Sequence, residues 1–201
     1  MGNITFKQYR NIDLSIFAVL LAVSEAITAF ATRKWFAAQP VAITTTLLFL
    51  CICMMRWSGY AAIHAAIGGL VFCMASGGNP QQFVIYVVGN LFAMLGLFWF
   101  KVFKKDDIRQ SPAKLISFVI SIYLLMQTGR WLISMIFSHN PSVILVYLGT
   151  DIISLLFTCI VMIILRKSEG MIEDQKAFLF RQQREREAAI KEEYKGYGAE
   201  D

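Results

Sequence analysis

Apolar residues fall in six runs, roughly 12 to 32, 40 to 55, 59 to 75, 82 to 103, 113 to 137 and 142 to 165, separated by short polar connections. A helix needs about 17 to 25 predominantly apolar residues to cross a bilayer. The pattern therefore predicts six membrane-crossing helices, with the second and third short for the task. Pro40, Ser76-Gly77-Gly78-Asn79-Pro80 and Asn140-Pro141-Ser142 punctuate the connections. Beyond residue 167 the pattern changes. Met171, Ile172, Phe178, Leu179 and Phe180 are interleaved with charges, and the pairs Arg181/Glu185 and Glu187/Lys191 stand one helical turn apart. This predicts that the sixth helix continues beyond the membrane and frays near Gly196 and Gly198. The expected fold is all-α: a bundle of six transmembrane helices, 1–167, with a charged cytoplasmic C-terminal helix or tail, 168–201.

The stretch from 121 to 137, SIYLLMQTGRWLISMIF, places an arginine inside an otherwise lipid-compatible run. An arginine at the centre of such a helix costs roughly 2.5–3.5 kcal/mol on insertion scales, so Arg130 needs a partner or water. At helical spacing Tyr123, Gln127, Arg130 and Ser134 share one stripe, while Leu124, Leu125, Leu132, Ile133 and Ile136 cover the remainder. The sixth run repeats the device with Tyr147, Asp151, Ser154 and Thr158. The fourth offers Tyr86 and Asn90, and the first Glu25, Thr28 and Thr32. Counted from one membrane face at 1.5 Å per residue, Glu25, Asn90, Arg130 and Asp151 lie at roughly the same depth, 10 to 14 Å. Four helices thus supply one polar layer. The expected ligand-binding groups are Glu25, Asn90, Arg130 and Asp151, with Tyr86, Tyr123, Gln127 and Tyr147 shaping the site and Trp35 and Phe36 as an aromatic lid. The guanidinium fork of Arg130 suits a carboxylate or phosphate. An ion pair of Arg130 with Asp151 or Glu25 that merely ties helices together would use the same residues. One arginine against two acids nevertheless leaves a surplus carboxylate, available to a cationic ligand group or to a proton.

Composition reinforces the membrane assignment: of 201 residues, 57% are hydrophobic. The net charge of +5 is unevenly spread, with thirteen Lys/Arg against five Asp/Glu in 1–167 and six against nine in 168–201. Lys7, Arg10, Arg56, Lys101, Lys104, Lys105, Arg109, Lys114, Arg166 and Lys167 fall on one side of the predicted topology, opposed by Arg33 and Lys34. The positive-inside rule then makes both termini cytoplasmic in a multi-pass protein of the plasma membrane. The basic surplus is topological, without the soluble aromatic-basic face of a nucleic-acid binder. Lys7 and Arg10 before an apolar run suggest a signal peptide, but the run is too long and contains Glu25, so a retained first span is expected. Cys51, Cys53, Cys73 and Cys159 all sit in apolar runs and read as small apolar fillers rather than disulfides or metal ligands. His64, in a helix, and His139, in a connection on the other side, cannot share a metal, and no cofactor is implied. Trp57, Trp99 and Trp131 suit interfacial belts.

Small residues form two further stripes. Ser15, Ala18, Ala22, Ala26 and Ala29 align along the first helix, and Ala61, Ala65 and Gly69, backed by Ala62, Ala66 and Gly68, along the third. In lipid, helices associate by such close packing. Six spans in about 165 residues, Ala-x-x-x-Ala spacing at Ala18, Ala22 and Ala26, polar groups on helices four to six and Asp151 early in the sixth together resemble the substrate-binding S component of energy-coupling-factor vitamin transporters. The resemblance implies a non-catalytic, all-helical subunit that captures a vitamin-like micronutrient outside. It would dock through the alanine face onto a membrane coupling subunit driven by a pair of ATPases. The alternatives are a structural or signalling subunit acting through its tail, and an intramembrane enzyme using Glu25 and Asp151, although no P-loop, G-x-S-x-G or H-E-x-x-H motif is present.

Overall fold

The computed structural model describes residues 5–35, 42–138 and 140–197, and every regular element among them is helical. Phe36, Pro40, His139, Gly198 and the side chains of Glu187 and Lys191 lie outside the described residues. The order is α1 (Phe6–Trp35), α2 (Thr46–Trp57), α3 (Ala61–Ser76), α4 (Pro80–Leu91), α5 (Trp99–Val102), α6 (Lys105–Gln110), α7 (Pro112–Ile136), α8 (Val143–Thr150), α9 (Ile152–Leu165) and α10 (Gln175–Tyr197). A 3₁₀ run, Phe92–Phe98, joins α4 to α5.

Four helical runs are long and apolar enough to cross a membrane: Phe6–Trp35, Thr46–Ser76, Pro80–Val102 and Pro112–Ile136. The pair α8 and α9, bent by 40° relative to each other, makes a fifth when read as one broken span. Their outer faces agree with lipid as solvent. Ile12, Ile16, Val19, Val23, Ile27 and Phe30 of α1 and Leu156, Ile160 and Ile164 of α9 are all exposed, a larger apolar surface than a water-soluble monomer carries.

The run Thr46–Ser76 is folded back on itself. Ser58 has φ 53°, and a Cβ placed on Gly68 would approach the Thr46 hydroxyl oxygen to 2.3 Å. Along a straight helix those residues would stand about 33 Å apart. The run is therefore a hairpin. Its first leg, α2, has 12 residues and is about 18 Å long, too short for a hydrocarbon core of about 30 Å. The second apolar run is therefore helical only from Thr46 onward, with residues 42–45 ahead of it not helical. Every residue of α2 but Phe49 is buried, which is why its sequence is apolar all round: it is a core helix enclosed by other helices.

Local signals explain the other boundaries. Asn79 and Gln82 form a reciprocal capping box before α4, with Pro80 at its first position. Ser111 caps α7 ahead of Pro112. Gly77, at φ 74°, ends α3 in the left-handed conformation.

One end of the bundle is basic and closed by the C-terminal segment. Here Arg56 pairs with Asp13 at 2.6 Å, Lys105 with Asp174 at 2.8 Å, Arg109 with Glu173, and Tyr9 donates to Gln175 at 3.0 Å. The sixth apolar helix does not run on, as the sequence predicts. It stops at Leu165, the chain turns through Gly170 at φ 73°, and Ile172, Glu173 and Gln175 are buried. Residues 170–175 thus belong to the bundle. Arg181 pairs with Glu173 at 2.8 Å, where an Arg181/Glu185 pair is expected. Trp57, expected in an interfacial belt, is buried and donates to Asp13 at 2.5 Å.

Candidate functional site

The predicted stripe of α7 faces inward along its whole length: Tyr123, Gln127, Arg130 and Ser134 are all buried. Arg130 is 2% exposed, and its Nε and Nη1 donors are used within the bundle. Nε donates to Asn90 Oδ1 of α4 at 2.8 Å, and Nη1 to Gln127 Oε1 at 3.2 Å and to the Asp151 carboxylate. Gln127 Nε2 donates to the same carboxylate oxygen at 2.9 Å. Asn90 in turn donates to the Ala65 carbonyl of α3 at 3.2 Å. A chain of hydrogen bonds therefore links α3, α4, α7 and the α8–α9 junction, and every member depends on its neighbours. Nη2 is the exception, meeting only the Met126 thioether, at 3.9 Å, among the described residues.

Two glycines let these groups meet. A Cβ on Gly89 would lie 2.6 Å from the Arg130 Cα, and one on Gly129 would lie 2.3 Å from the Gly89 carbonyl oxygen. Backbones of α4 and α7 touch at the level where Asn90 reaches Arg130. In both helices the glycine immediately precedes the polar residue, a dipeptide signal, Gly89-Asn90 and Gly129-Arg130, that reasoning from stripes alone overlooks.

Tyr86 and Tyr147 lie one helical turn from Asn90 and Asp151, on the side of the layer away from the basic end. Their rings meet edge to face at 6.4 Å, and the Arg130 guanidinium lies 4.5 Å from the centroid of Tyr86. Both tyrosines are half-buried, as is Phe72 beside Tyr86 at 4.7 Å. An aromatic ledge thus tops a charged floor.

Beside the α8–α9 bend at Asp151, two backbone carbonyls accept from donors on other parts of the chain. The Tyr123 hydroxyl donates to Leu148 O at 2.5 Å, and Ala42 N–H to Thr150 O at 3.0 Å. The second donor belongs to a non-helical segment, 42–45, that enters the bundle just before α2. Thr44 N–H donates to Ser154 Oγ at 2.8 Å. Non-helical backbone at membrane depth is tolerated only inside protein or beside a water-filled cavity, and these bonds keep it there.

Glu25, fully buried, is what ends this segment. Its Oε2 accepts from Thr45 N–H at 2.7 Å, Thr46 N–H at 2.9 Å and the Thr45 hydroxyl at 2.9 Å. A carboxylate at a helix N-terminus satisfies orphan donors and the helix dipole together. Ser24 adds a hydroxyl contact to Thr45 at 2.9 Å. Glu25 Oε1 and the hydroxyls of Thr44, Thr46 and Thr158 are buried, without a hydrogen-bond partner among the described residues.

Of the predicted site residues, the structure joins Asn90, Arg130, Asp151 and Gln127 directly, with Tyr86, Tyr123 and Tyr147 around them. Glu25 is bonded to α2 instead of to Arg130. Trp35 is exposed at the last residue of α1, ten positions beyond Glu25 and so about 15 Å further along the axis. Ala18, Ala22 and Ala26 are half-buried along the flank of the buried row Leu14, Leu21, Glu25 and Ala29. The small face of α3 is consumed internally, Gly68 against Thr46 and Gly69 against the Tyr86 carbonyl, while His64 is buried 3.1 Å from the Leu14 carbonyl. Sequence reasoning missed Thr44, Thr45 and Thr46, although three consecutive threonines opening an unusually short apolar run were visible. No protein-family model, no curated protein and no solved structure matches this chain.

Proposed function

We propose that this chain is the solute-binding subunit of an ATP-driven uptake transporter of the energy-coupling-factor type, without catalysis of its own. The observation that carries the reading is the non-helical segment 42–45, bonded to Thr150 and Ser154 on either side of Asp151 and so adjoining the Arg130 floor. A bundle built only for rigidity would close that wall with a full helix. Here a short stretch of backbone, held by side-chain hydrogen bonds, lies where a solute would enter. In this reading it is the part of the wall that opens.

In this reading the solute rests on Tyr86 and Tyr147 and places a carboxylate or phosphate oxygen against the Nη2 edge of Arg130. Asn90, Gln127 and Asp151 hold the guanidinium in place. Six helical legs, with α2 a half-length one, form the binding domain, and both termini lie in the cytoplasm, so the tyrosine ledge faces outward. The half-buried Ala18, Ala22 and Ala26 flank of α1 takes the coupling subunit.

Small molecules released by denaturing the purified full-length chain, identified by mass spectrometry, test this directly. One non-lipid solute near one per chain is expected, and its absence from protein purified out of rich medium overturns the proposal. A22L should keep the solute and lose the coupling subunit on copurification; unchanged assembly would reject the alanine face.

A further inference from the structure

The basic end of the bundle holds a cavity of about 300 Å³ that the transport reading does not use. It lies between the start of α1, the α2–α3 turn, the start of α6 and the start of α10. Phe6, Trp57 and Tyr60 supply aromatic walls, and Arg10, Arg56, Lys105 and Lys176 supply four cations against one lining carboxylate, Asp174.

The cations are not equivalent. Arg56 is spent on the fold: it pairs with Asp13 and donates to the carbonyls of Gly170 and Met171. Lys105 holds Asp174 at 2.8 Å and keeps two further N–H donors. Arg10 has no carboxylate partner among the described residues. Its guanidinium lies over the Tyr60 ring at 4.3 Å, Nη1 donates to the Tyr60 hydroxyl at 2.6 Å, and Nε is buried with its donor unmet. Lys176 is exposed and likewise forms no ion pair among the described residues. Counting Asp13 and Asp174 against the four cations, a charge surplus of two converges on one aromatic-walled cavity.

Depth identifies what fits. Arg10 stands two residues before Ile12, the first exposed apolar residue of the lipid-facing row on α1. The cavity therefore opens where hydrocarbon gives way to headgroups, a level at which the recurring anion is a phosphate ester.

We propose that this cavity binds a phosphate group that carries no attached cation, received by Arg10 Nε, Lys105 and Lys176, with the aromatic walls covering any carbons attached to it. An acidic phospholipid headgroup and free phosphate share that chemistry. Native mass spectrometry of the full-length chain in neutral detergent, with added phosphatidylglycerol or phosphatidylcholine, tests it. Wild type should retain phosphatidylglycerol in preference to phosphatidylcholine, and R10Q and K176Q should each weaken that retention about fivefold, the worth of one interfacial cation. K7Q, which removes a nearby cation outside the cavity, should leave it unchanged. A parallel titration with inorganic phosphate separates the sources: displacement of the lipid extends the site to free phosphate, and no displacement confines it to the lipid, the phosphate site standing in either case. Because Lys176 is exposed, K176Q remains informative even if R10Q disturbs the Tyr60 contact. Equal retention of the two lipids by wild type, wild-type retention by K176Q, or an equal loss in K7Q would overturn the proposal.

Discussion

Glu25 and Asp151 are both carboxylates buried among the apolar helices of this bundle, and they are used in opposite ways. Asp151 faces a cation and an amide on a neighbouring helix, and its position is set by side chains whose own positions are set in turn by Asn90 and Ala65. Glu25 faces backbone N–H groups at the start of a short helix, and one of its oxygens has no partner among the described residues. The first acid fixes helices relative to one another, and removing it strands a charge. The second fastens the backbone that leads into α2, and weakening it should loosen that backbone while the helices stay put. A polar residue's depth in the membrane is thus a poor guide to its task; what it bonds to decides.

The contrast can be broken most severely at the floor. D151A leaves the Arg130 charge buried without its counter-ion and should cost about 3–5 kcal/mol, read as a large fall in melting temperature in detergent. A double variant R130M/D151L should melt above D151A, because an apolar pair leaves no stranded charge; a lower melting point would mean the layer does more than pair charges. Next comes G129A, whose new methyl meets the Gly89 carbonyl. Separating α4 from α7 should cost at least about 1–3 kcal/mol in the same assay. At the fastening, E25Q exchanges charge-assisted hydrogen bonds for neutral ones, a loss of about 1 kcal/mol that should stay local. Hydrogen exchange should quicken at residues 44–48 and stay unchanged in α7; uniform quickening would erase the distinction. Smallest is Y123F, which deprives the Leu148 carbonyl of its donor and should cost about 0.5–1.5 kcal/mol in the melting assay.

The inward stripes of α7 and the sixth apolar run were legible because helical periodicity and the cost of charge in lipid both point to the same residues. Tyr123, Gln127, Arg130, Ser134, Asp151, Ser154 and Thr158 are buried as that reasoning requires. What it missed follows from its assumption that each apolar run is one straight spanning helix. An apolar core helix such as α2 and a lipid-spanning helix have the same composition, and only length separates them. The Glu25–Thr45 contact joins α1 to the segment that precedes α2, and no spacing within one helix encodes a contact between two. Similarly, the charge pattern after residue 167 reads as a solvated helix, whereas Glu173 and Gln175 are buried because Arg109, Arg181 and Tyr9 converge on them. Long-range ion pairs leave no local signature.

The central claim is that a fixed floor at Arg130 and Asp151 underlies a movable segment that admits a solute. A T44C/S154C disulfide would test it most directly, since Thr44 N–H and Ser154 Oγ already lie 2.8 Å apart. The account predicts that the oxidised variant keeps its retained solute through prolonged dialysis and that reduction releases it. Equal loss of solute from the oxidised and reduced forms would contradict it.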